Sequence, residues 1–327
     1  MRDFSYVRAD SIDAARQAAA LPGAMLLAGG TTLVDLAKCG VAEPDSLVDI
    51  THLKGLDAIK VDAGSAMIGA LAKMSHVADH AEIKSRFPAV SEALWQAASA
   101  QLRNMATIGG NLMQRTRCPY FRDPANFSAC NKRSPGTGCS AIGGVTRGHA
   151  VLGTSNACIA MYPGDLATAL VAFDAVVHLG ERQVAVDDFF LLPGATPDRE
   201  HAMQPGEMIT AISIPASAAA RQSTYLKVRD RQSYEFAAAS AAVGIDFEAD
   251  GRTIRDLRVA LGGVATKPWR AHAVEAALKG KVLSEDRVRA ASLLAMEGAI
   301  DHGANHYKIE LAPRVVARAI LKTGAMS

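Results

Sequence analysis

Several features are scarce or missing in this chain of 327 residues. Aromatic residues make up only 5% of the sequence, so it has few of the stacking platforms that bind single-stranded nucleic acid. Neither sign of charge dominates: 35 basic residues face 33 acidic ones, and the net charge of +2 gives no reason to expect nucleic acid or acidic lipid as a partner. No apolar run approaches the roughly eighteen residues of a transmembrane helix, so we expect no membrane span.

A signal peptide is also missing from the first residues, MRDFSYVRAD, which contain no apolar central region. We therefore expect synthesis in the cytoplasm without an export signal of the chain's own. Hydrophobic residues make up 49% and charged residues 21% of the sequence, which is typical of a globular protein and excludes intrinsic disorder. The length suffices for two or three domains with their own cores.

Cysteine is rare overall but concentrated in one segment. Four of the five cysteines are Cys118, Cys130, Cys139 and Cys158, whereas Cys39 lies on a predicted helix as a small apolar residue. The segment around the four is rich in Gly, Pro, Ser, Asn and Arg and shows no helical or strand periodicity. A loop of this length needs something to organise it, and four thiolates on one metal centre would do so. The sequence therefore predicts a metal site in a loop spanning residues 113–160, hereafter the cysteine loop.

The spacing C-x11-C-x8-C-x18-C leaves three interpretations open. A structural zinc site usually draws two ligands from one C-x2-4-C turn, which this chain lacks. A cubane iron-sulfur cluster also takes four cysteine thiolates and suits ligands scattered along a wrapping loop. Two disulfides, with three alternative pairings, would require an oxidising compartment.

Short strands and helices alternate along the chain, which predicts an α+β fold of mixed α/β character. We predict a first domain over 1–215, in two subdomains of about 1–55 and 56–215. An Ala/Ser-rich stretch then leads to a second α+β domain over 222–327. The sequence predicts a strand from Met208 to Ile214 and helices over Thr31 to Lys38, Trp269 to Leu278 and Ala312 to Lys322.

Two glycine-rich segments are candidates for binding a phosphate-bearing ligand. The first, AGGTTL at residues 28–33, lies between a predicted strand and a predicted helix, and the second, TIGGNL at 107–112, directly precedes the cysteine loop. Adjacent glycines let backbone N–H groups converge on an anion, although either segment alone is also compatible with a simple tight turn. Neither is a G-x-G-x-x-G or P-loop motif. Together they predict a diphosphate site built from two separated loops.

Four segments in one order, LAGGTTL at 27–33, ATIGGNL at 106–112, PGDL at 163–166 and VALGGVA at 259–265, resemble the FAD-binding subunits of the xanthine dehydrogenase family of molybdenum hydroxylases. The resemblance covers essentially the whole chain. It implies a two-part FAD-binding domain followed by a C-terminal domain of the CO dehydrogenase flavoprotein type. The cysteine loop makes the chain most similar to FAD and [4Fe-4S] subunits of periplasmic aldehyde oxidoreductases. Flavin subunits of 4-hydroxybenzoyl-CoA reductases carry a comparable loop.

The resemblance also implies cofactors and site residues. The four clustered cysteines would bind a [4Fe-4S] cluster, Asp165 would contact the adenosine ribose or nearby groups, Ile209 would pack on the adenine, and Lys227 would lie near the isoalloxazine ring. Some relatives place an aromatic residue on the adenine where this chain has Ala97, so adenine packing should differ. The remaining FAD-binding positions are expected to be Leu26, Leu27, Ala28, Gly29, Gly30, Thr31, Thr32, Leu33 and Val34 of the first loop and Thr107, Gly110 and Asn111 of the second.

The implied function is electron transfer within a heterotrimer. The resemblance assigns the molybdenum cofactor to a large subunit and [2Fe-2S] clusters to a small one, with electrons leaving through FAD on this chain to an external acceptor. No catalytic acid or base is expected here, and export would depend on a partner subunit that carries a signal. The alternatives are a flavin subunit of a related molybdenum hydroxylase or hydroxybenzoyl-CoA reductase, and a structural subunit held by zinc without flavin.

Overall fold

A computed structural model describes residues 1–326 and contains three β-sheets. The strands are β1 (Ser5–Arg8), β2 (Ala24–Leu27), β3 (Ser46–Asp49), β4 (Ile59–Val61), β5 (Ser65–Gly69), β6 (Val176–Leu179), β7 (Arg182–Ala185), β8 (Ala211–Pro215), β9 (Ser223–Val228), β10 (Ala239–Phe247), β11 (Ile254–Gly262) and β12 (Trp269–Arg270). The α-helices are α1 (Ile12–Ala19), α2 (Leu33–Lys38), α3 (Met74–Asp79), α4 (Ala81–Arg86), α5 (Pro88–Gln96), α6 (Ala100–Met105), α7 (Ile108–Leu112), α8 (Pro119–Arg122), α9 (Asp165–Ala172), α10 (Val186–Phe189), α11 (Ala218–Arg221), α12 (His272–Leu278), α13 (Glu285–Ser292) and α14 (Tyr307–Gly324), with a 3-10 helix at Leu293–Met296.

The first sheet is parallel, in the order β1-β3-β2. Helix α1 connects β1 to β2, and its first turn is capped by the Ser11 hydroxyl, which accepts a hydrogen bond from the Ala14 N–H at 3.2 Å. Ala15 of this helix and Val48 of β3 are fully buried in a small core beneath the sheet. This arrangement brings the end of β2, where the first glycine segment starts, to the edge of the core.

The second sheet is antiparallel, in the order β4-β5-β8-β6-β7. Strand β8 pairs with both β5 and β6, so it joins the segment before the cysteine loop to the segment after it. Helices α5 and α9 contribute buried apolar residues to the same core. The long excursion between β5 and β6, which carries the second glycine segment and the cysteine loop, therefore starts and ends on one rigid sheet.

The third sheet, in the order β12-β11-β10-β9, is antiparallel and is covered by α14. The sequence predicts that this last helix begins at Ala312, but the helix begins at Tyr307 with Pro313 inside it. An interior proline costs about 3 kcal/mol. Burial of the helix face that includes Val316 and Ile320 in the core of this sheet offsets that cost.

Two other element predictions also need correction. The predicted helix from Trp269 starts later, at His272, because Trp269 and Arg270 pair with the end of β11. The predicted strand from Met208 starts at Ala211, so Ile209 lies in the approach to β8. The predicted second domain, 222–327, extends one residue beyond the described part of the chain. No helix in residues 1–326 is both long and apolar enough to cross a membrane.

Candidate functional site

The first glycine segment forms the turn between β2 and α2. A Cβ atom on Gly29 would overlap the carbonyl oxygen of Met105, so this glycine touches the backbone at the end of α6, just before the second glycine segment. Gly30 has a φ of +70°, which L side chains rarely adopt. Two adjacent positions are therefore restricted to glycine, one by close packing and the other by backbone conformation.

The second glycine segment is fixed to the chain that follows β5. The Ile108 N–H donates to the Ala72 carbonyl at 3.0 Å, and the Gly109 N–H donates to the Ala70 carbonyl at 2.8 Å. Thr107 caps α7, since its hydroxyl accepts a hydrogen bond from the Gly110 N–H at 3.3 Å. These bonds hold the second segment opposite the first.

Between the two segments lies a cleft with two lobes that share Thr31, Thr32 and Gly110. The first lobe has a volume of about 450 Å³ and the second about 320 Å³. Both values fall within the usual size of small-molecule sites. The shape, two lobes joined where both glycine segments meet, suits an elongated ligand whose middle part lies against backbone.

Most of the predicted FAD-binding residues line this cleft. The first lobe contains Leu26, Ala28, Gly29, Gly30, Thr31, Thr32, Leu33, Thr107, Gly110 and Ile209. The second contains Thr31, Thr32, Gly110, Asn111 and Asp165, together with Ala97, Arg117, Tyr234 and Phe236. Asp165 thus lies in the other lobe from Ile209, which the resemblance places on the adenine.

Three predicted residues do not line either lobe. A Cβ atom on Gly30 would meet the side chains of Leu27 and Val34, so these two pack behind the first segment. Lys227 is buried beyond Asp165, and its Nζ lies 2.8 Å from Asp165 Oδ2 and donates to the Gln96 carbonyl at 3.1 Å. Lys227 thus reaches the cleft only through Asp165, and its place beside the isoalloxazine ring stays a prediction.

Asp165 is the most constrained charged group of the cleft. Its other carboxylate oxygen accepts a hydrogen bond from the Tyr225 hydroxyl at 2.5 Å, and only 5% of the side chain is exposed. Burial raises the pKa of Asp165, and the Lys227 ammonium acts against that rise. Sequence reasoning missed Tyr225, because its contact with Asp165 joins β9 to the start of α9 and leaves no local pattern.

Two polar atoms near the second lobe lack a partner within the described chain. They are Asn111 Oδ1 and Arg117 Nε, both buried and both on residues that line this lobe. Buried polar atoms are rarely left unpaired, because each such atom loses its hydrogen bonds to water. An unpaired acceptor and an unpaired donor at one cleft indicate a polar ligand, and the two lobes, the glycine contacts and these atoms together fit FAD.

The cysteine loop contains α8 as its one helix and is held together by side chains. The Asn131 side chain receives a hydrogen bond from the Gly138 N–H at 2.8 Å and donates to the Ala157 carbonyl at 3.0 Å. Lys132 Nζ lies 2.9 Å from Glu200 Oε1, and Arg115 pairs with the same carboxylate. These contacts tie the middle of the loop to both of its ends and to the segment before β8.

All four clustered cysteines line a single small cavity, together with Tyr120, Phe121 and several alanines. Each of them is a free thiol, which is contrary to the disulfide interpretation. Cys39 is elsewhere, 3.8 Å from an Arg122 nitrogen. Within residues 1–326, no three His, Cys, Asp or Glu side chains are arranged to hold one metal ion.

The cavity is a poor environment for thiolates by themselves. Burial raises the pKa of Cys118 to about 12 and also raises the pKa of Cys158. Cationic metal centres bind the deprotonated form, so metal binding would supply the charge that this environment lacks. Four sulfur donors around one space fit a polynuclear centre.

One histidine adjoins the cavity. His149 Nε2 lies 3.2 Å from Cys118 Sγ, and only 3% of the residue is exposed. Burial lowers the pKa of His149 to about 4. No sequence motif indicates this contact, because nothing local links position 149 to position 118.

Comparison with known proteins identifies the family. Residues 2–217 match the family model described as the FAD binding domain in molybdopterin dehydrogenase, and residues 224–323 match the CO dehydrogenase flavoprotein C-terminal domain. The chain belongs to this family of molybdenum hydroxylase flavoproteins. It is therefore an FAD-binding oxidoreductase subunit, and the predicted fold class, a mixed α/β FAD-binding domain followed by a C-terminal domain, is confirmed.

Individual relatives extend this comparison over the full length. The chain is 42% identical to the aldehyde oxidoreductase FAD-binding subunit PaoB of Escherichia coli (strain K12), with 100% of both proteins covered. It is 30% identical to the glyceraldehyde dehydrogenase medium chain of Sulfolobus acidocaldarius, over 88% of this chain and 85% of that protein. Among solved structures, a carbon monoxide dehydrogenase from Hydrogenophaga pseudoflava matches with a TM-score of 0.75 and 26% identity, covering 99% of this chain and 98% of that one.

Proposed function

We propose that this chain is the FAD and [4Fe-4S] electron-transfer subunit of a heterotrimeric, molybdenum-dependent aldehyde oxidoreductase. The observation that carries the proposal is the convergence of four free cysteines on one cavity in a chain whose glycine segments form an FAD cleft. The likeness to an aldehyde oxidoreductase subunit along the whole chain supports the choice of substrate class.

The cleft supports the placement of FAD. We assign the diphosphate to the junction of the lobes, where Thr31, Thr32 and Gly110 meet and where the close contact at Gly29 keeps side chains out of the way. Asn111 and Arg117 then provide an acceptor and a donor to the half of the cofactor in the second lobe. Bound FAD supplies one-electron exchange with iron-sulfur centres and two-electron exchange with acceptors.

The cysteine cavity supports a cluster over a single zinc ion. Zn–S bonds of about 2.3 Å would draw four sulfurs to within roughly 3.8 Å of one another in a tetrahedron. This chain has no C-x2-4-C turn that would present two sulfurs to one zinc ion, and its four cysteines reach one cavity from scattered positions of the loop. A cubane keeps its four thiolates further apart because iron and sulfide occupy the centre.

We propose that the substrate is oxidised on another subunit of the enzyme. The cleft of this chain offers no nucleophile with an adjacent base, so we assign aldehyde oxidation to a large subunit with the molybdenum cofactor. Electrons would pass through [2Fe-2S] clusters of a small subunit to this chain and on to an external acceptor. Export, if the enzyme acts in the periplasm, would follow a partner subunit that carries the signal.

The electron-transfer role is tested with the purified heterotrimer under anaerobic conditions. Addition of an aldehyde should bleach the flavin absorbance band at about 450 nm, because reduction of the flavin ring removes that band. Removal of FAD alone should abolish reduction of a soluble acceptor while the molybdenum and [2Fe-2S] centres still become reduced. Flavin that stays oxidised while those centres are reduced would refute the proposed route.

A further inference from the structure

His149 is placed beside the cysteine cavity by the C-terminal part of the chain. The backbone N–H of His149 donates to the Thr146 carbonyl at 2.8 Å, and the Thr146 hydroxyl donates to the His302 carbonyl at 2.8 Å. The Asn305 side chain donates to the next carbonyl along, that of Ala150, at 2.9 Å. The backbone on both sides of His149 is therefore held by the segment that leads into α14.

The ring can donate only one useful hydrogen bond. Nε2 faces Cys118 Sγ at 3.2 Å, whereas Nδ1 is buried and has no partner in the described chain. A metal-bound thiolate is an acceptor without a proton of its own, so it fixes the imidazole proton on Nε2. The contact then becomes an N–H to sulfur hydrogen bond.

This donor is distinctive among the contacts of the four cysteines. In residues 1–326, His149 is the one side chain within hydrogen-bonding distance of any of these four sulfurs. The Cys158 sulfur accepts a hydrogen bond from a backbone group, the Ala160 N–H, at 3.4 Å. A substitution at position 149 can therefore remove one sulfur hydrogen bond and leave the backbone ones in place.

We propose that His149 is a positioning residue that donates its Nε2–H to the Cys118 thiolate and thereby raises the reduction potential of the cluster, an inference that rests on the proposed function. Uptake of one electron makes the thiolate more negative, and a hydrogen-bond donor stabilises the more negative state. Removing the donor should therefore shift the potential to a more negative value without removing a ligand.

The test is a potentiometric titration of the cluster in the purified heterotrimer, followed by low-temperature EPR, for His149→Phe and His149→Gln. Phe fills the site without a donor, whereas the Gln amide nitrogen can occupy the position of Nε2. We expect a negative shift of the potential in the Phe variant and recovery towards the wild-type value in the Gln variant. Electron–nuclear double resonance in D2O should show the loss of one exchangeable proton coupling in the Phe variant.

A control and a second variant keep the outcomes separable. Asn126→Ala removes an exposed amide that donates to Asp123 Oδ2 at 2.7 Å, so it disturbs the same loop away from the cysteine cavity, and it should leave the potential unchanged. If His149→Phe lowers the iron content, His149→Asn replaces it, since its shorter amide cannot reach Cys118. Equal potentials in the wild type and in the variant without a donor would overturn this inference but would not contradict the proposed cluster. Absence of iron from the wild type would instead overturn the proposed function.

Discussion

Gly29 shows how one residue holds the cofactor cleft together. A Cβ atom at this position would overlap the Met105 carbonyl. The glycine is thus needed so that the first glycine segment can approach the end of α6. The cleft is narrow at this point because two backbones are in contact.

Gly29→Ala should therefore weaken FAD binding by displacing the two segments. Overpacking of this kind costs about 1–3 kcal/mol, which corresponds to a loss of affinity of roughly fivefold to 150-fold if it falls on the bound state. The measurement is the FAD dissociation constant from flavin fluorescence. Gly64→Ala is the control, because its Cβ would only touch the Asp62 side chain at 3.6 Å. Wild-type affinity in Gly29→Ala would contradict the close contact.

At the scale of elements, Glu200 ties the cysteine loop to the segment before β8. It pairs with Lys132 of the loop and with Arg115 at its start, and all three side chains are mostly buried. Burial acts to raise the pKa of Glu200, but Lys132 and Arg115 outweigh it and hold the pKa below its ordinary value. The ionised carboxylate is accordingly favoured in the folded chain.

The lowered pKa makes the ion pairs of Glu200 dependent on pH. Their contribution to the free energy of unfolding is complete above the ordinary glutamate pKa of about 4.3, and it is lost as the pH falls through the lower pKa of the folded chain. At pH 7, Glu200→Gln should reduce the free energy of unfolding by about 3 kcal/mol, because it leaves two buried cations unpaired. The difference between wild type and variant should shrink as the pH falls below about 4. Denaturant unfolding at several pH values measures it.

An exposed ion pair provides the control for this prediction. Glu285 and Arg289 lie one turn apart on α13, and about 60% of each side chain is exposed. Glu285→Gln should change the free energy of unfolding by no more than about 0.5 kcal/mol at any pH. If Glu200→Gln changes the free energy of unfolding as little as Glu285→Gln does, the cysteine loop does not depend on the ion pairs of Glu200.

Elements with a local signal could be predicted from the sequence. Helix α12 ends at Leu278 as predicted, and the cysteine loop is as irregular as its composition indicates. Helix α14 is longer than the sequence predicts. Pro313 disfavours a helix interior locally, but burial of the helix face in the tertiary structure overrides that preference. Short helices such as α3 and α6 could not be predicted, since six residues carry too little periodicity.

The site was predictable to the extent that its residues sit in motifs. Both glycine segments and the four cysteines could be found because each is a recognisable pattern, and the structure brings each set together. The pairing of Lys227 with Asp165 could not be predicted, because the two residues are 62 positions apart in the sequence. The same holds for His149 and Cys118, which are 31 positions apart.

For the whole molecule, the C-terminal region completes the site that the N-terminal region begins. Tyr234 and Phe236, which follow β9, line the second lobe, and the segment leading into α14 holds His149. Large apolar side chains also remain exposed, such as Val145 at 73% and Leu293 at 66%. Exposed apolar residues of this kind are compatible with docking to partner subunits.

The most direct test of the account is the content of iron, acid-labile sulfide and FAD in the purified wild type and in five single Cys→Ser variants. Ligands to one cluster act together because metal binding is part of the folding energy of the loop. Beyond the iron and sulfide of the [2Fe-2S] clusters on the small subunit, the wild-type heterotrimer should contain about four further iron and four further sulfide per FAD, as expected for a [4Fe-4S] centre. Substitution of Cys118, Cys130, Cys139 or Cys158 should remove most of these further iron ions, and Cys39→Ser should not. A colourless wild type with one zinc ion, or iron loss that is equal in all five variants, would contradict the account.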